Sequence, residues 1–175
     1  FQGTRSGFTV FLAAFALEDL GIANVGIFAT VASFVGWVAR PMLGTLLDKK
    51  GTKATLIPAG LAFALGLICL AAAQNMVWII AAGVFVGIGQ NGINPVLTTI
   101  SIRAVPPERK AAGNSTNYLG MDIGSAVAQS AGGLIVSTFG YRMGFAAFLV
   151  PVVVGTVAAV IVLTRQEARS KAAAD

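Results

Sequence analysis

Asp122 is the one acidic residue that lies deep inside an apolar run of this sequence. A charge at the centre of a bilayer is costly, so such a residue usually faces a cavity or a polar partner. Polar residues share its helix face, namely Ser115, Tyr118, Ser125 and Gln129. Two interpretations follow: a proton-coupling or solute-contacting acid, or a carboxylate that is hydrogen-bonded at a contact with another part of the protein.

A second polar set interrupts another apolar run. Asn91, Asn94 and Thr98 are spaced to share one helix face, and Gln90 precedes them. Their amide and hydroxyl groups are suited to hydrogen-bond a solute inside a helix bundle. Pro95 removes a backbone donor and can loosen the helix for gating. The alternative is interhelical hydrogen bonding, which contributes little net energy in a membrane.

The sequence lacks the groups that most enzymes and metal sites need. It contains no His and a single Cys, Cys69, inside an apolar run. Histidine is the commonest metal ligand and general base, and no nucleotide-binding or zinc-protease motif is present. We therefore predict no cofactor, no metal and no enzymatic activity. An intramembrane enzyme is the weakest alternative, with Asp122 nearly its only candidate group.

The composition is that of a protein whose solvent is the lipid bilayer. Hydrophobic residues make up 56% of the 175 residues, charged residues only 11%, and the mean hydropathy is +0.82. Soluble domains carry about 25% charged residues. The chain is predicted to be an all-α integral membrane protein. No nucleic-acid partner is expected, because basic and aromatic residues do not interleave as they do in single-strand binders.

Five apolar segments are long enough to cross a bilayer as helices, which takes about 20 residues. A sixth run, Gly7–Leu17, is shorter and is predicted to be the last part of a truncated helix that ends at solvated Glu18 and Asp19. Short connections predict an antiparallel transmembrane helix bundle of five full spans and one partial span. The five segments are Ala23–Leu47, Ala54–Ala73, Val77–Ile102, Ala111–Ser137 and Met143–Leu163.

The flanking residues and the basic residues give a predicted orientation. Residues 1–6 begin like a cleaved tag and are predicted to be a cloning remnant, residues 7–163 form the bundle, and residues 164–175 form a polar cytoplasmic tail. Of the 12 Lys and Arg residues, all except Arg142 fall on one side of the predicted spans. Because basic residues favour the cytoplasmic side, both termini of this multi-pass cell-membrane protein are predicted to be cytoplasmic.

The segment that contains Asp122 also has a face of small residues. Gly120, Gly124, Ala128 and Gly132 recur every fourth residue. Small residues at this spacing let helix backbones approach closely. We therefore predict that the segment packs against a neighbouring helix by this face and exposes its polar stripe by the other.

The loop between the apolar segments Ala23–Leu47 and Ala54–Ala73 carries a family resemblance. The segment from Arg40 to Lys53 has a Gly, an Asp and several bases between two apolar runs. It resembles the Gly-x-x-x-Asp-Arg-x-Gly-Arg-Arg/Lys signature of the major facilitator superfamily, which joins the second and third helices of each transporter half. The matching positions are Gly44, Asp48, Gly51 and Lys53, whereas Lys49 stands where Arg is usual and Thr52 where the first paired base is usual.

Three further features resemble the same family in the same order. Gly87–Pro95 is similar to its glycine-rich tenth helix, and Val105–Gly113 to the cytoplasmic start of helix eleven. Gly132-Gly133-Leu134 followed by Phe139–Phe145 is similar to the end of helix eleven and the start of helix twelve. The resemblance covers Gly7 to Leu163 and best fits the C-terminal six-helix half, with helix seven truncated.

The resemblance implies roles for the loop residues. In this family the Asp at the position of Asp48 approaches a helix N-terminus of the opposite half, where unpaired N–H groups and the helix dipole favour a carboxylate. Such a contact latches one conformation and releases it when the halves move. Gly44 allows the close approach, and Lys49 and Lys53 tune the latch. The alternative at Asp48 is an interfacial charge that only fixes topology. Arg40 is expected to snorkel toward the cytoplasmic face, with a role in the charge network of the loop as its alternative.

The resemblance also implies the function and the partners. The expected function is secondary active transport of a small organic solute, by efflux or uptake, through alternating access. Coupling to protons is the specific form of that expectation. Gln90, Asn91, Asn94 and Thr98 are then expected to line the central cavity, and helix eleven, with Asp122, to lie near the contact between halves. Besides the bilayer and the solute, the expected partner is an N-terminal half or a second copy. The alternative is a non-transporting half or assembly module.

Overall fold

A computed structural model describes residues 11–19, 21, 26–103 and 105–172, without the side chains of residues 103, 107 and 165–172. Within these ranges the chain is helical and contains no strand, which confirms the predicted all-α fold. The predicted cloning remnant and the first residues of the truncated helix lie outside the described residues. The helices are α1 (residues 11–18), α2 (Gly26–Ala71), α3 (Met76–Arg103), a short 3-10 helix (Pro107–Arg109), α4 (Lys110–Phe139) and α5 (Tyr141–Ala172).

Helix α2 is two membrane-crossing arms joined at Gly51. A straight helix of its 46 residues would be about 69 Å long, more than twice the roughly 30 Å hydrocarbon core of a bilayer. Gly51 interrupts it with φ 81° and ψ −179°, a conformation that residues with a Cβ rarely adopt. The first arm (residues 26–50) and the second arm (residues 52–71) correspond to the predicted spans Ala23–Leu47 and Ala54–Ala73. The described chain thus has four helices of membrane-crossing length and composition, counting α2 once.

Glycines bring α3 close to the first arm of α2. A Cβ atom on Gly83 would lie 3.2 Å from the carbonyl oxygen of Phe28, and one on Gly87 would lie 2.6 Å from that of Ala32. A Cβ does not fit at Gly87 unless the backbone shifts, and at Gly83 it would be a tight contact. The later residue of α3 contacts the later residue of the first arm, so α3 runs parallel to the first arm.

Glycines also bring α3 close to the second arm, from the other side. A Cβ on Gly66 would lie 2.6 Å from Cγ2 of Val86, and one on Gly89 would lie 2.6 Å from the backbone nitrogen of Phe63. The later residue of α3, Gly89, contacts the earlier residue of the second arm, Phe63, so the two helices are antiparallel. The arms of α2 are therefore antiparallel to each other, with α3 packed against both.

Helices α1 and α5 meet through aromatic rings. Phe15 is fully buried, and its ring centroid lies 5.2 Å from that of Phe145 in an edge-to-face arrangement. The centroids of Phe11 and Phe148 lie 6.5 Å apart in a stacked arrangement. Such pairs contribute about 0.5–1.5 kcal/mol beyond their buried area. This short helix is therefore held on the bundle by the first turns of α5.

Two hydrogen bonds, which we call the outer clasp, join helix ends on the predicted non-cytoplasmic side. The Tyr141 hydroxyl donates to Oε2 of Glu18 at 2.8 Å, and Nη2 of Arg142 donates to the Ala73 carbonyl at 3.0 Å. Glu18 is exposed, as predicted, but its carboxylate has this partner. The contact of Arg142 just beyond the end of α2 suits a cation, because a helix C-terminus carries partial negative charge. This gives a structural reason for the single basic residue on that side.

Helix α4 is the least buried of the long helices. Its buried residues are Gly113 and Gly132. Large apolar side chains on it are mostly exposed, with Ile123 at 65% and Leu134 at 71%. A helix with this exposure needs lipid or another protein segment against it.

Helix α5 is longer than the sequence predicts. The predicted span ends at Leu163 and a tail that frays into solvent follows, whereas the backbone stays helical to Ala172. The extension is rich in Ala, Arg, Gln, Glu and Lys, all of which are strong helix formers. Hydropathy marks where the apolar segment ends, which is not where the helix must end.

The contact of α3 with the first arm predicts the effect of filling it. We expect Gly87→Ala to lower the midpoint of thermal unfolding in detergent, because the added methyl group would meet the Ala32 backbone; overpacking of this kind costs about 1–3 kcal/mol. The matched control is Gly120→Ala, since no described atom lies within 4 Å of a Cβ there. That variant should keep or raise the midpoint. Equal effects of both variants would contradict the packing.

Candidate functional site

A polar cleft of about 280 Å³ lies between the first arm of α2 and α3. Its lining combines two residues of the loop signature with two of the amide set. The sequence treats these as separate groups, and the fold brings them together in an open cleft, in which Arg40 and Pro95 are exposed and the other lining residues are half-buried. The lining residues are Arg40, Gly44, Asn91, Asn94 and Pro95.

Arg40 and Asn91 form the central contact of this cleft. Nε of Arg40 donates to Oδ1 of Asn91 at 2.7 Å, and Nδ2 of Asn91 donates to the carbonyl of Gly87 at 2.8 Å. A Cβ on Gly36 would overlap the Asn91 amide, so this glycine makes room for it. Both ends of the amide are used, and Asn91 therefore positions the guanidinium group of Arg40.

Arg40 lies too deep for its only role to be a loop charge. It precedes Lys50, the last residue of the first arm, by ten residues, or about 15 Å of helix. The Arg40 side chain is exposed in this chain, and its contact with Asn91 supplies an acceptor for Nε. The predicted snorkelling is thus accompanied by a specific interhelical hydrogen bond.

Pro95 shapes the acceptor side of the cleft. Because proline has no N–H, the carbonyl oxygen of Asn91 lacks its usual donor four residues later. The Thr99 hydroxyl donates to the Pro95 carbonyl at 2.7 Å. Asn94 is half-buried, and no hydrogen bond joins its side chain to a described residue. The cleft therefore offers one backbone acceptor and one amide with its hydrogen-bonding capacity unused.

The remaining predicted cavity residues lie on α3 outside this lining. Gln90 and Thr98 are both half-buried. The structure therefore places Asn91 and Asn94 at the cleft and does not add Gln90 or Thr98 to it. Their predicted contact with a solute stays a prediction.

The loop signature is divided between two places. Arg40 and Gly44 line the cleft, whereas Asp48 and Lys49 are exposed near the end of the first arm. Lys53 is half-buried in the first turn of the second arm. The turn itself is supported by the fully buried Thr55, whose hydroxyl donates to the Gly51 carbonyl at 3.3 Å. Asp48 is thus exposed near the turn between the two arms and does not line the cleft.

Asp122 lies on the exposed face of α4. Its side chain is exposed, as are those of Tyr118 and Gln129, and no hydrogen bond joins Asp122 to a described residue. The Ser115 hydroxyl donates back to the Ala111 carbonyl of its own helix at 3.0 Å. The predicted polar stripe is therefore presented outward by this chain.

The small-residue face of α4 is filled within the chain only at one end. A Cβ on Gly132 would lie 2.6 Å from the ring of Phe148 and 3.0 Å from that of Phe11. At Gly120 and Gly124 no described atom lies within 4 Å of such a Cβ. The predicted packing role is thus seen at Gly132, and the other two glycines border open space.

Two further features were not expected from the sequence. A groove of about 550 Å³, lined by apolar residues, lies between α4 and α5, with Gly124, Val127 and Phe148 among its lining residues. On α4, the amide nitrogen of Asn117 is buried without a hydrogen-bond partner among the described residues. Neither feature has a sequence signal, because each depends on which faces of α4 are covered.

Comparison with known proteins places this chain among membrane transporters. A family profile described as the Major Facilitator Superfamily matches residues 1–175. The multi-drug resistance efflux pump PmrA of Streptococcus pneumoniae is 29% identical over 135 residues, covering 74% of this chain and 34% of the pump. The thioclapurine efflux transporter tcpA of Claviceps purpurea is 32% identical over 149 residues, covering 84% and 26%.

Two other similarities agree in coverage. The gentisate transporter of Corynebacterium glutamicum is 27% identical over 154 residues, covering 86% of this chain and 34% of the transporter. A crystal structure of the peptide transporter POT in complex with alafosfalin matches with a TM-score of 0.78 and 20% identity, covering 91% of this chain and 35% of that one. The chain thus spans about a third of the length of the relatives it matches.

The bonding in the cleft predicts different costs for its two asparagines. We expect Asn91→Ala to lower thermal stability by about 1 kcal/mol, because Nε of Arg40 loses its hydrogen-bond acceptor on α3. Asn94→Ala should change stability by less than about 0.5 kcal/mol, because it breaks no hydrogen bond within the described chain. Unfolding midpoints in the same detergent compare the two, and a larger loss at Asn94 would contradict the geometry.

Proposed function

Because this chain belongs to the major facilitator superfamily, we propose that it is the C-terminal half of a secondary active transporter for a small organic solute. The observation that carries the proposal is the cleft, which Arg40, Asn91 and Asn94 line together between two helices of membrane-crossing length. Polar and ionisable groups inside a membrane are costly and usually mark a solute or ion pathway. The solute is moved by efflux or uptake through alternating access, in which two helical bundles rock around a site near the midplane.

The length of the chain supports a partner in this mechanism. It spans about a third of the relatives it matches, and a second bundle is needed to close a cavity that opens to either side in turn. The exposed face of α4, with Ile123 and Leu134, offers apolar surface for that bundle. We propose that the partner is an N-terminal half, and a second copy of this chain is the alternative. A chain that assembles without transporting would be a structural module.

The orientation follows from the basic residues. We propose that both termini are on the cytoplasmic side of a cell membrane, because all 12 Lys and Arg residues except Arg142 belong to one side of the bundle. This arrangement puts Asp48 and Gly51 in the cytoplasm and the outer clasp on the opposite face. Asp48 then serves as the proposed latch, since it is exposed at the corner between the arms.

Reconstitution tests the transport function directly. The chain, co-purified with an N-terminal half in liposomes, should accumulate or release a fluorescent organic solute when a proton gradient is applied. Each half alone should give no flux, because neither encloses a cavity. Native mass spectrometry of the same sample should give a heterodimer. A homodimer with flux would favour the second-copy alternative, and a defined heterodimer without flux for any tested solute would favour an assembly module.

Proton coupling is proposed for Asp122. Its exposed carboxylate lies on a helix of membrane-crossing length and has no hydrogen bond to a described residue, and an acid within a membrane span usually marks a solute or ion pathway. We expect Asp122→Asn to abolish the pH dependence of transport while the protein stays assembled. Glu108→Gln, at an exposed acid before α4, is the matched control and should keep the wild-type pH profile. An unchanged profile in Asp122→Asn would remove the coupling role.

The latch has its own test. Asp48→Asn removes the charge that a helix N-terminus would attract and should slow transport several-fold, while the unfolding midpoint stays the same. The amide keeps the shape of the side chain, so a change in rate reports on charge. Transport at the wild-type rate would leave Asp48 as a charge that fixes topology only.

A further inference from the structure

We propose that the cleft between the first arm of α2 and α3 binds the carboxylate group of an organic anion, with Arg40 as its charged anchor. This inference rests on the proposed transport function and names the class of solute that the site takes. Its basis is the state of the Arg40 guanidinium group, the lining of the cleft and the size of the cleft.

The guanidinium group of Arg40 is oriented but not neutralised. Its Nε is bonded to Oδ1 of Asn91, which leaves the two terminal nitrogens without a hydrogen bond to any described residue. Arginine stays charged and presents its donors as a planar fork that matches a carboxylate in two-point contact. Asn91 is itself fixed by Gly87, so the fork is held in place before a ligand arrives.

The lining of the cleft contains no acid that would balance this charge. Besides Arg40 it consists of Gly44, Asn91, Asn94 and Pro95, and no ion pair joins Arg40 to a described carboxylate. Arg40 is exposed on this chain, and a charge without a partner at membrane depth is costly once lipid or another bundle covers it. A bound anion offsets that cost, whereas a neutral or cationic solute does not.

Asn94 and Asn91 supply the remaining contacts. The Asn94 side chain lies one helical turn beyond Asn91 and has no hydrogen bond within the described chain, so its NH₂ group can donate to a second carboxylate oxygen. The Asn91 carbonyl lacks its helical donor because of Pro95, and it can accept from a hydroxyl group of the solute or from a water molecule. The cleft thus offers hydrogen-bond donors for a carboxylate and one acceptor beside them. These groups match a carboxylate that carries a hydroxyl group or a bound water molecule.

Size and charge favour a carboxylate over larger or more highly charged anions. The volume of about 280 Å³ is just below the roughly 300–1,000 Å³ of pockets that enclose drug-sized ligands. The cleft therefore takes the acidic end of a solute. A single arginine balances one negative charge, which matches a carboxylate better than a doubly charged phosphate.

Equilibrium binding to the complete transporter, with both halves present, tests the proposal. The probes are acetate and benzoate, with neutral benzamide and inorganic phosphate as comparators, and binding is measured by isothermal titration calorimetry in detergent. We expect benzoate and acetate to bind at least tenfold more tightly than benzamide or phosphate. A wild-type protein that binds neither carboxylate, or binds benzamide equally well, overturns the proposal. An acidic side chain of the other half that already occupies the fork would give this result.

Three variants and one control variant localise the binding. Arg40→Gln should weaken benzoate binding at least tenfold, and Arg40→Lys, which keeps the charge but loses the fork, should weaken it less. Asn94→Asp places a protein carboxylate in the cleft and should abolish benzoate binding with Arg40 intact. Lys110→Gln removes an exposed base elsewhere and should bind as the wild type does. Unfolding midpoints confirm that each variant is folded, and benzoate affinity that is unchanged in Arg40→Gln and Asn94→Asp contradicts the assignment.

The result is separable from the proposed transport function, because binding at equilibrium requires no movement of the halves. Anion binding that depends on Arg40, without liposome flux, would leave the site in place and refute transport. Flux of a solute that is insensitive to Arg40→Gln, together with no carboxylate binding, would refute the site and leave transport in place.

Discussion

The close packing of α3 between the two arms of α2 is the interaction on which the rest of the structure depends. In a bilayer no hydrophobic force draws helices together, so van der Waals contact and interhelical hydrogen bonds must do so. Gly87 and Gly89 allow this contact on opposite sides of α3. The same proximity brings Asn91 within 2.7 Å of Arg40. The packing that stabilises the bundle is therefore also what builds the polar cleft.

Much of the fold is predictable from the sequence because lipid imposes simple rules on it. Apolar length identifies the arms of α2, α3, α4 and α5, and Gly51 marks the reversal within α2. Periodicity also assigns residues to faces of one helix. It does not say which faces of two helices meet, because that depends on the register between them. The pairing of Arg40 with Asn91, 51 residues apart, is invisible for this reason.

The glycines of α4 illustrate the same limit. Small residues every fourth position predict a close contact, and Gly132 makes one with Phe148. Gly120 and Gly124 carry the same signal but border open space within the described chain. A packing motif specifies that a close neighbour fits, and it does not specify whether that neighbour belongs to this bundle. The candidate site on α4, with Asp122, is therefore less determined by the sequence than the cleft is.

The proposed rocking of two bundles requires that each bundle moves as a unit, and the distribution of contacts in this chain is compatible with that proposal. At the outer end, Tyr141 and Arg142 join α5 to Glu18, the last residue of α1, and to Ala73, just after α2. In the middle, α3 is fixed against both arms. Helix α4 is the exception, because it is largely exposed and carries the outward-facing Asp122. The chain thus combines a closely packed group of helices that borders the cleft with one lightly covered helix, α4.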